Sequence, residues 1–284
     1  MEKIGIVGAG AMGSGIAYVV ASHLDGEVVV VDVAAAMLDK ARSYIEGVAK
    51  KAVEKGQADE AAVKGWLKRL RYSTARNDLA GSQVIIEAVP EQLSLKRELF
   101  AELDGLCSPE TILASNTSAL PITQIAAATK RPERVIGMHF FNPAPVMKLV
   151  EVIRGYATSQ EVVDRTLECC RLLGKETIVA KDYPGFITTR VGMGLIAEAL
   201  RCLEEGVGSV EDIDKGLRLA LNHPIGPFQF LDLVGLDVTE KILESFAEAY
   251  GDRFRPSPLL KQMVAAGHLG RKSGRGFYNY SKKP

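Results

Sequence analysis

The chain has 284 residues, 47% hydrophobic and 25% charged, with 35 basic residues against 35 acidic ones. That composition describes a globular protein of one large domain or two ordinary ones, and the balanced charge argues against nucleic acid or an anionic membrane surface as a main partner. No stretch reaches the roughly 18 consecutive apolar residues of a membrane span. The opening MEKIGIVGAG lacks the marks of a secretory signal, and Cys107, Cys169, Cys170 and Cys202 show no CxxC spacing, so a reduced, cytoplasmic setting with buried thiols is expected.

KIGIVGA (3–9) is a β-branched run closed by glycine and predicts a buried strand. AMGSGIAYVVASHL (11–24) follows with helical spacing, and EVVVVDV (27–33) predicts a second buried strand. Residues 34–56 carry Met37, Leu38, Ala41, Ile45 and Val48 at helical spacing, with lysines between. Further strands are predicted at QVIIEAV (83–89), TILASNTS (111–118), ERVIGMHFF (133–141), MKLVEVI (147–153) and ETIVA (176–180). Helices are predicted at SLKRELFAEL (94–103) and 160–173. Strands alternating with helices imply an α/β fold with a doubly wound, mostly parallel sheet of Rossmann type, covered on both faces.

After Pro184 the pattern changes. GFITTRVGMGLIAEALRCLEEG (185–206), VEDIDKGLRLAL (210–221), LVGLDVTEKILESFAEAY (233–250) and SPLLKQMVAAG (257–267) read as helices, and no buried-strand run recurs. The expected division is a nucleotide-binding domain over 1–184 and an all-helical domain over 185–284.

GIVGAGAMGSG holds Gly8, Gly10 and Gly13 in GxGxxG spacing, with Ala11 and Met12 inside the same turn. Between a strand and a helix, such glycines allow a tight turn and let the backbone approach a pyrophosphate at the helix N-terminus. Asp32 closes the next strand, where a carboxylate accepts hydrogen bonds from ribose hydroxyls and repels a 2′-phosphate. No arginine follows it immediately, so NAD is expected rather than NADP. GRKS (270–273) has neither the leading glycine nor the preceding strand of a P-loop.

Oxidising an alcohol by hydride transfer needs a base for the hydroxyl proton. Of four histidines, His139 ends a strand of the nucleotide-binding half, at the edge that lines the ligand crevice. His23 reads as a surface residue and His268 as a loop residue, while His223 sits in NHPIGPF, a loop rigid with proline. Glu151 lies on the following strand segment. If the two strands are neighbours, its carboxylate reaches Nδ1 of His139, fixes the tautomer and stabilises the imidazolium. The pattern leaves two readings open, a catalytic pair or a buried pair that merely satisfies itself. Ser118 and Asn116 close the preceding strand in ASNTS. The serine reads either as a hydrogen-bond donor to the reacting oxygen or as the cap of the helix that follows, and spacing alone favours the cap. Lys50, Lys51 and Lys55 form either a phosphate contact or a solvated helix face. No metal site is expected.

Seven stretches taken together have a family look: IGIVGAGAMGSGIA, EAVPEQLSLKRELFAEL, ASNTSALPIT, GMHFFNPAPVMKLVEVI, GKETIVAKDYPGFITTR, NHPIGPFQFLDLVGLD and GRKSGRGFYNY. In order and over almost the whole chain, they resemble the L-3-hydroxyacyl-CoA dehydrogenase family, and within it the 3-hydroxybutyryl-CoA dehydrogenases. The resemblance implies NAD-dependent oxidation of an L-3-hydroxyacyl thioester to the 3-ketoacyl thioester, by a homodimer joined through its helical domain. It implies that His139 is the general base, Glu151 its orienting carboxylate and Ser118 a ligand of the substrate 3-oxygen. Glu91 and Lys96 would lie near the cofactor, and Asn142 on the nicotinamide side. Substrate contacts would come from Asn116, Thr189 and Lys50 besides Ser118 and His139. Arg271, Lys272 and Arg275 would close over the site from the helical domain. One departure stands out: the family's usual asparagine before the arginine of the PGFI segment is Thr189 here, before Arg190. Threonine lacks an amide's separate donor and acceptor, which puts a branched or cyclic acyl group, or a hydroxy acid without CoA, in view as an alternative substrate.

Overall fold

A computed structural model describes residues 1–281. The chain divides into two compact units, Met1–Tyr183 and the residues from Pro184 onward.

The first unit runs β1 (Lys3–Val7), α1 (Ala11–His23), β2 (Glu27–Val31), α2 (Ala35–Glu54), α3 (Glu60–Lys68), β3 (Leu70–Ser73), β4 (Val84–Glu87), α4 (Leu93–Leu106), β5 (Ile112–Ser115), α5 (Ile122–Ala126), β6 (Val135–Phe140), β7 (Leu149–Arg154), α6 (Gln160–Leu172) and β8 (Glu176–Lys181). The strands form one sheet in the order β3-β2-β1-β4-β5-β6-β7-β8. The order reverses between β1 and β4, so their carboxyl ends open the crevice where such sheets bind ligands. Strands β1 to β6 pair in parallel. Then β7 runs antiparallel to β6, while β8 is parallel to β7. The cause is the short connection 141–148, because a parallel return needs a crossover of about a dozen residues or more. Valines and isoleucines of the central strands, among them Ile6, Val28, Val30 and Ile86, are completely buried against Ile16 of α1. Each such side chain contributes about 1.5–3 kcal/mol of transfer free energy.

Three local expectations change. Helix α3 and strand β3 went unpredicted, because LRYS is half-exposed and lacks the apolar run of a central strand. The strand predicted over 111–118 stops at Ser115, and Asn116, Thr117 and Ser118 form the loop beyond it. Ser118 does not cap the next helix. That helix starts at Ile122, and the Asp182 carboxylate accepts the amides of Ile122 and Thr123 at 2.9 and 2.7 Å.

The second unit is helical: α7 (Thr188–Glu204), α8 (Val210–Ala220), α9 (Pro227–Val234), α10 (Leu236–Tyr250) and α11 (Pro258–Ala265). Its core gathers Ile196, Leu200, Phe228, Leu243, Phe246 and Leu260. Two buried aspartates tie the C-terminal strap onto these helices. Asp232 accepts the amides of Phe277 and Tyr278, and Asp214 accepts the Tyr278 hydroxyl, each at 2.9 Å. Lys272 is ion-paired with Asp237, which holds that carboxyl below its usual range. Among the described residues no helix is long and apolar enough to cross a membrane.

Candidate active site

The turn from β1 to α1 shows why it needs glycine. Gly8 has φ +97°, and a β-carbon there would lie 2.6 Å from the Ala88 carbonyl oxygen. A β-carbon at Gly13 would fall 1.8 Å from the Gly8 carbonyl oxygen. Gly10, by contrast, faces open space. Helix α1 begins just after it, with no side-chain cap and no acid in its first turn, so its N-terminal amides suit an anion. Gly8, Gly10, Ala11, Met12 and Asp32 line a cavity of about 590 Å³, which falls in the size range of nucleotide sites, roughly 300–1,000 Å³. The Asp32 carboxylate accepts the Ala9 amide at 2.8 Å and the Ala34 amide at 3.0 Å, which aims it along the turn. A dinucleotide fits these features: amides for the pyrophosphate, an acid for the ribose and close backbone approach at Gly10.

A second cavity of about 320 Å³ shares Met12, Ala88 and Val89 with the first. Its wall brings together Glu91, Lys96, Asn116, Ser118, His139 and Asn142. His139 and Glu151 are direct register partners across the antiparallel β6–β7 pair. Nδ1 of His139 stands 3.2 Å from a Glu151 carboxylate oxygen; Glu151 is 0% and His139 7% exposed. A carboxylate in its ionised form only accepts hydrogen bonds, so its pairing with the imidazole would place a proton on Nδ1. The Phe141 ring packs 4.4 Å from the imidazole, centroid to centroid.

Lys96 is buried between two carboxylates, 2.6 Å from Glu87 and 3.2 Å from Glu91. Glu87 is completely buried; it also accepts the Ser115 hydroxyl at 2.6 Å and the Val89 amide at 2.7 Å. Glu91 accepts the Thr117 hydroxyl and, at 3.1 Å, the Ser118 amide. Asn116 accepts the Phe140 amide at 2.8 Å, which locks the β5 loop to the strand carrying His139. Lys175 donates to the carbonyls of Ala144 and Met147 at 2.7 and 2.8 Å, fastening the connection that carries Asn142, and burial lowers its pKa.

Other candidates are not among the residues lining these two cavities. Gly13 packs beneath the turn. Thr189 belongs to the first turn of α7 in the second unit. Lys50 is exposed on α2, 3.9 Å from Glu54 one turn on. Two residues were missed in the sequence. Glu87 left a trace as a lone acid ending an apolar strand. Arg76, which lines the first cavity near Asp32, left none, because β3 brings it there from far along the chain. Among the described residues no group of three or more His, Cys, Asp or Glu side chains could hold a metal.

This is the geometry of a dinucleotide-binding domain with a buried histidine–glutamate pair beside its cavities. Residues 3–183 match the 3-hydroxyacyl-CoA dehydrogenase, NAD binding domain, and residues 185–280 match the 3-hydroxyacyl-CoA dehydrogenase, C-terminal domain. A probable 3-hydroxybutyryl-CoA dehydrogenase of Bacillus subtilis is 44% identical over 100% of this chain and 99% of its own. The 3-hydroxyadipyl-CoA dehydrogenase of Escherichia coli is 42% identical over 99% of this chain and 59% of its own length. The crystal structure of (S)-3-hydroxybutyryl-CoA dehydrogenase from Ralstonia eutropha is similar with a TM-score of 0.96 at 42% identity, covering 99% of this chain and 100% of that one. The chain belongs to the 3-hydroxyacyl-CoA dehydrogenase family, and its cofactor is NAD.

Proposed function

We propose that this protein oxidises a short-chain L-3-hydroxyacyl-CoA, 3-hydroxybutyryl-CoA first among them, reversibly to the 3-ketoacyl-CoA. The observation that carries the reading is the buried His139–Glu151 pair beside a cavity that shares a wall with the glycine turn. Nε2 of His139 takes the proton of the 3-hydroxyl as the C3–H bond breaks. Glu151, held in the neighbouring strand, stabilises the imidazolium and keeps Nε2 turned to the substrate. The Ser118 hydroxyl hydrogen-bonds the 3-oxygen, and Glu91 supports it by holding the Ser118 amide. Bound NAD supplies the hydride acceptor. Gly8, Gly10, Ala11, Met12, Gly13 and Asp32 bind its adenosine and pyrophosphate end, while Glu91, Lys96, Ser118 and Asn142 surround the nicotinamide end. Asn116, Thr189 and Lys50 complete the substrate contacts, Lys50 through the CoA phosphates. The names of the relatives, two of them for 3-hydroxybutyryl-CoA, support this substrate.

The helical unit pairs two copies as a homodimer. Exposed apolar side chains on and beside its helices support this, among them Val191, Leu219, Leu221 and Leu233. Light scattering of the purified protein reads the assembly directly.

Thr189 favours a second reading, a branched or cyclic acyl-CoA or a free hydroxy acid. Steady-state NADH formation over a panel of straight, branched and CoA-free 3-hydroxy substrates separates the two. The first reading requires the highest kcat/KM on the short straight-chain thioester, and Thr189→Asn to change that value. A CoA-free substrate that matched the thioester would overturn it.

A further inference from the structure

The cavity beside the glycine turn holds an arginine that the NAD assignment does not explain. Among the described residues lining it, the charged ones are Asp32 and Arg76. In dinucleotide sites an acid at the ribose selects NAD, whereas a nearby arginine receives the 2′-phosphate of NADP. This chain places one of each in the same wall. Arg76 arrives there through β3. The Asp32 amide donates to the Ser73 carbonyl at 3.3 Å, and Arg76 opens the 3-10 turn that follows. The turn is firmly held. The Asp78 carboxylate accepts the Ser73 hydroxyl at 2.5 Å and Arg71 at 2.7 Å, and Lys3 donates to the Asp78 carbonyl at 2.7 Å. The turn that carries Arg76 is therefore held in place beside the cavity. It is ion-paired and hydrogen-bonded to Glu102 of α4, and the pair is partly shielded from solvent, at 32% and 46% exposure.

We propose that Glu102 is a positioning residue for cofactor selectivity: by engaging Arg76 it withholds that guanidinium from a 2′-phosphate and keeps the cavity selective for NAD. The logic is electrostatic. A guanidinium already hydrogen-bonded to a carboxylate presents a neutralised pair to an incoming phosphate, and to bind it must break a charge-assisted bond. With Glu102 neutral, Arg76 becomes a phosphate-binding group in the same cavity wall as the ribose acid. Asp32 alone would repel the 2′-phosphate, and Glu102 adds to its effect by disarming the opposing charge. The inference rests on the NAD assignment and goes beyond it by naming what enforces the choice.

The test is direct binding of NADH and NADPH by calorimetry to the wild type, E102Q, R76A and the E102Q/R76A double variant. In E102Q, NADPH binds roughly three- to tenfold more tightly, the scale expected for releasing a partly exposed ion pair to a phosphate, while the NADH Kd holds within about twofold. The double variant returns NADPH to the wild-type Kd, and R76A alone leaves NADPH binding unchanged, because the guanidinium was already engaged. The gain in E102Q shrinks as salt rises. Unchanged NADPH affinity in E102Q, or a gain that survives removal of Arg76, overturns the proposal. So does loss of NADH binding in E102Q, which would make Glu102 a structural residue. A wild type that binds no NADH would instead overturn the cofactor assignment, so the two failures are distinguishable.

Discussion

Glu151→Gln isolates what the buried carboxylate does for the imidazole. The substitution keeps size and shape in a site with no solvent exposure, and it removes the charge 3.2 Å from Nδ1 of His139. Hydrogen bonds to charged groups contribute about 1.5–3 kcal/mol. The imidazolium forms as the hydroxyl proton moves, so that contribution belongs to the transition state. Each 1.36 kcal/mol is tenfold in rate, so kcat on 3-hydroxybutyryl-CoA should fall roughly tenfold to 150-fold. KM should hold, because Glu151 acts on the imidazole rather than on the substrate. Initial rates of NADH formation at saturating NAD measure both, and the NADH Kd, held within about twofold, certifies the fold of the variant. A kcat within twofold of wild type would refute the reasoning and reduce His139–Glu151 to a satisfied pair in a strand interior.

Lys96→Met leaves Glu87 buried without its cation. Breaking a buried pair this way costs about 3–5 kcal/mol, to be read as a lower urea midpoint; an unchanged midpoint would mean that Lys96 is not the counter-charge of Glu87. Gly13→Ala sets a methyl group 1.8 Å from the Gly8 carbonyl oxygen, so the turn must shift and the NADH Kd should rise at least about tenfold, since a misplaced turn forfeits more than one hydrogen bond to the pyrophosphate. Burial pushes the Cys169 thiol up to about 12 and raises Cys170 as well. Both thiols therefore stay protonated in the folded protein above pH 9, where the unfolded chain loses those protons. Stability should fall with rising pH over that window, by about 1.4 kcal/mol per pH unit for each thiol. Urea titrations from pH 8 to 11 measure it, and Cys169→Ala should flatten the slope; a slope independent of that cysteine contradicts the assignment.

How much of this could be read from residue order depends on distance along the chain. The glycine turn was legible because its strand, glycines, helix and second strand are consecutive, and each glycine answers a contact within that unit. The pairing of His139 with Glu151 was legible in outline from their separation of 12 positions on successive strand segments, yet its antiparallel register follows from the short 141–148 connection rather than from either strand. Spacing alone favoured Ser118 as a cap of the next helix because the group that accepts that helix's amides, Asp182, lies on the far side of four further elements. The pattern of SLKRELFAEL predicted the helix that carries Lys96 but not the buried pairing of its ammonium. Only the sheet brings Glu87 beneath it and exchanges water for two carboxylates. Arg76 joins the cavity that Asp32 lines through a strand too exposed to announce itself, and its partner Glu102 comes from a third element. Local pattern thus reveals turns and strand cores, whereas charges paired across elements emerge only after the sheet is assembled.

The most direct measurement is turnover of 3-hydroxybutyryl-CoA with NAD by the wild type and His139→Gln side by side, with NADH binding measured for both. The account predicts that the wild type forms NADH and that the variant loses at least about a hundredfold in kcat, the contribution of a positioned general base, while binding NADH as before. A variant that turns over at the wild-type rate would show that the proton leaves by another route, and the central claim would be wrong.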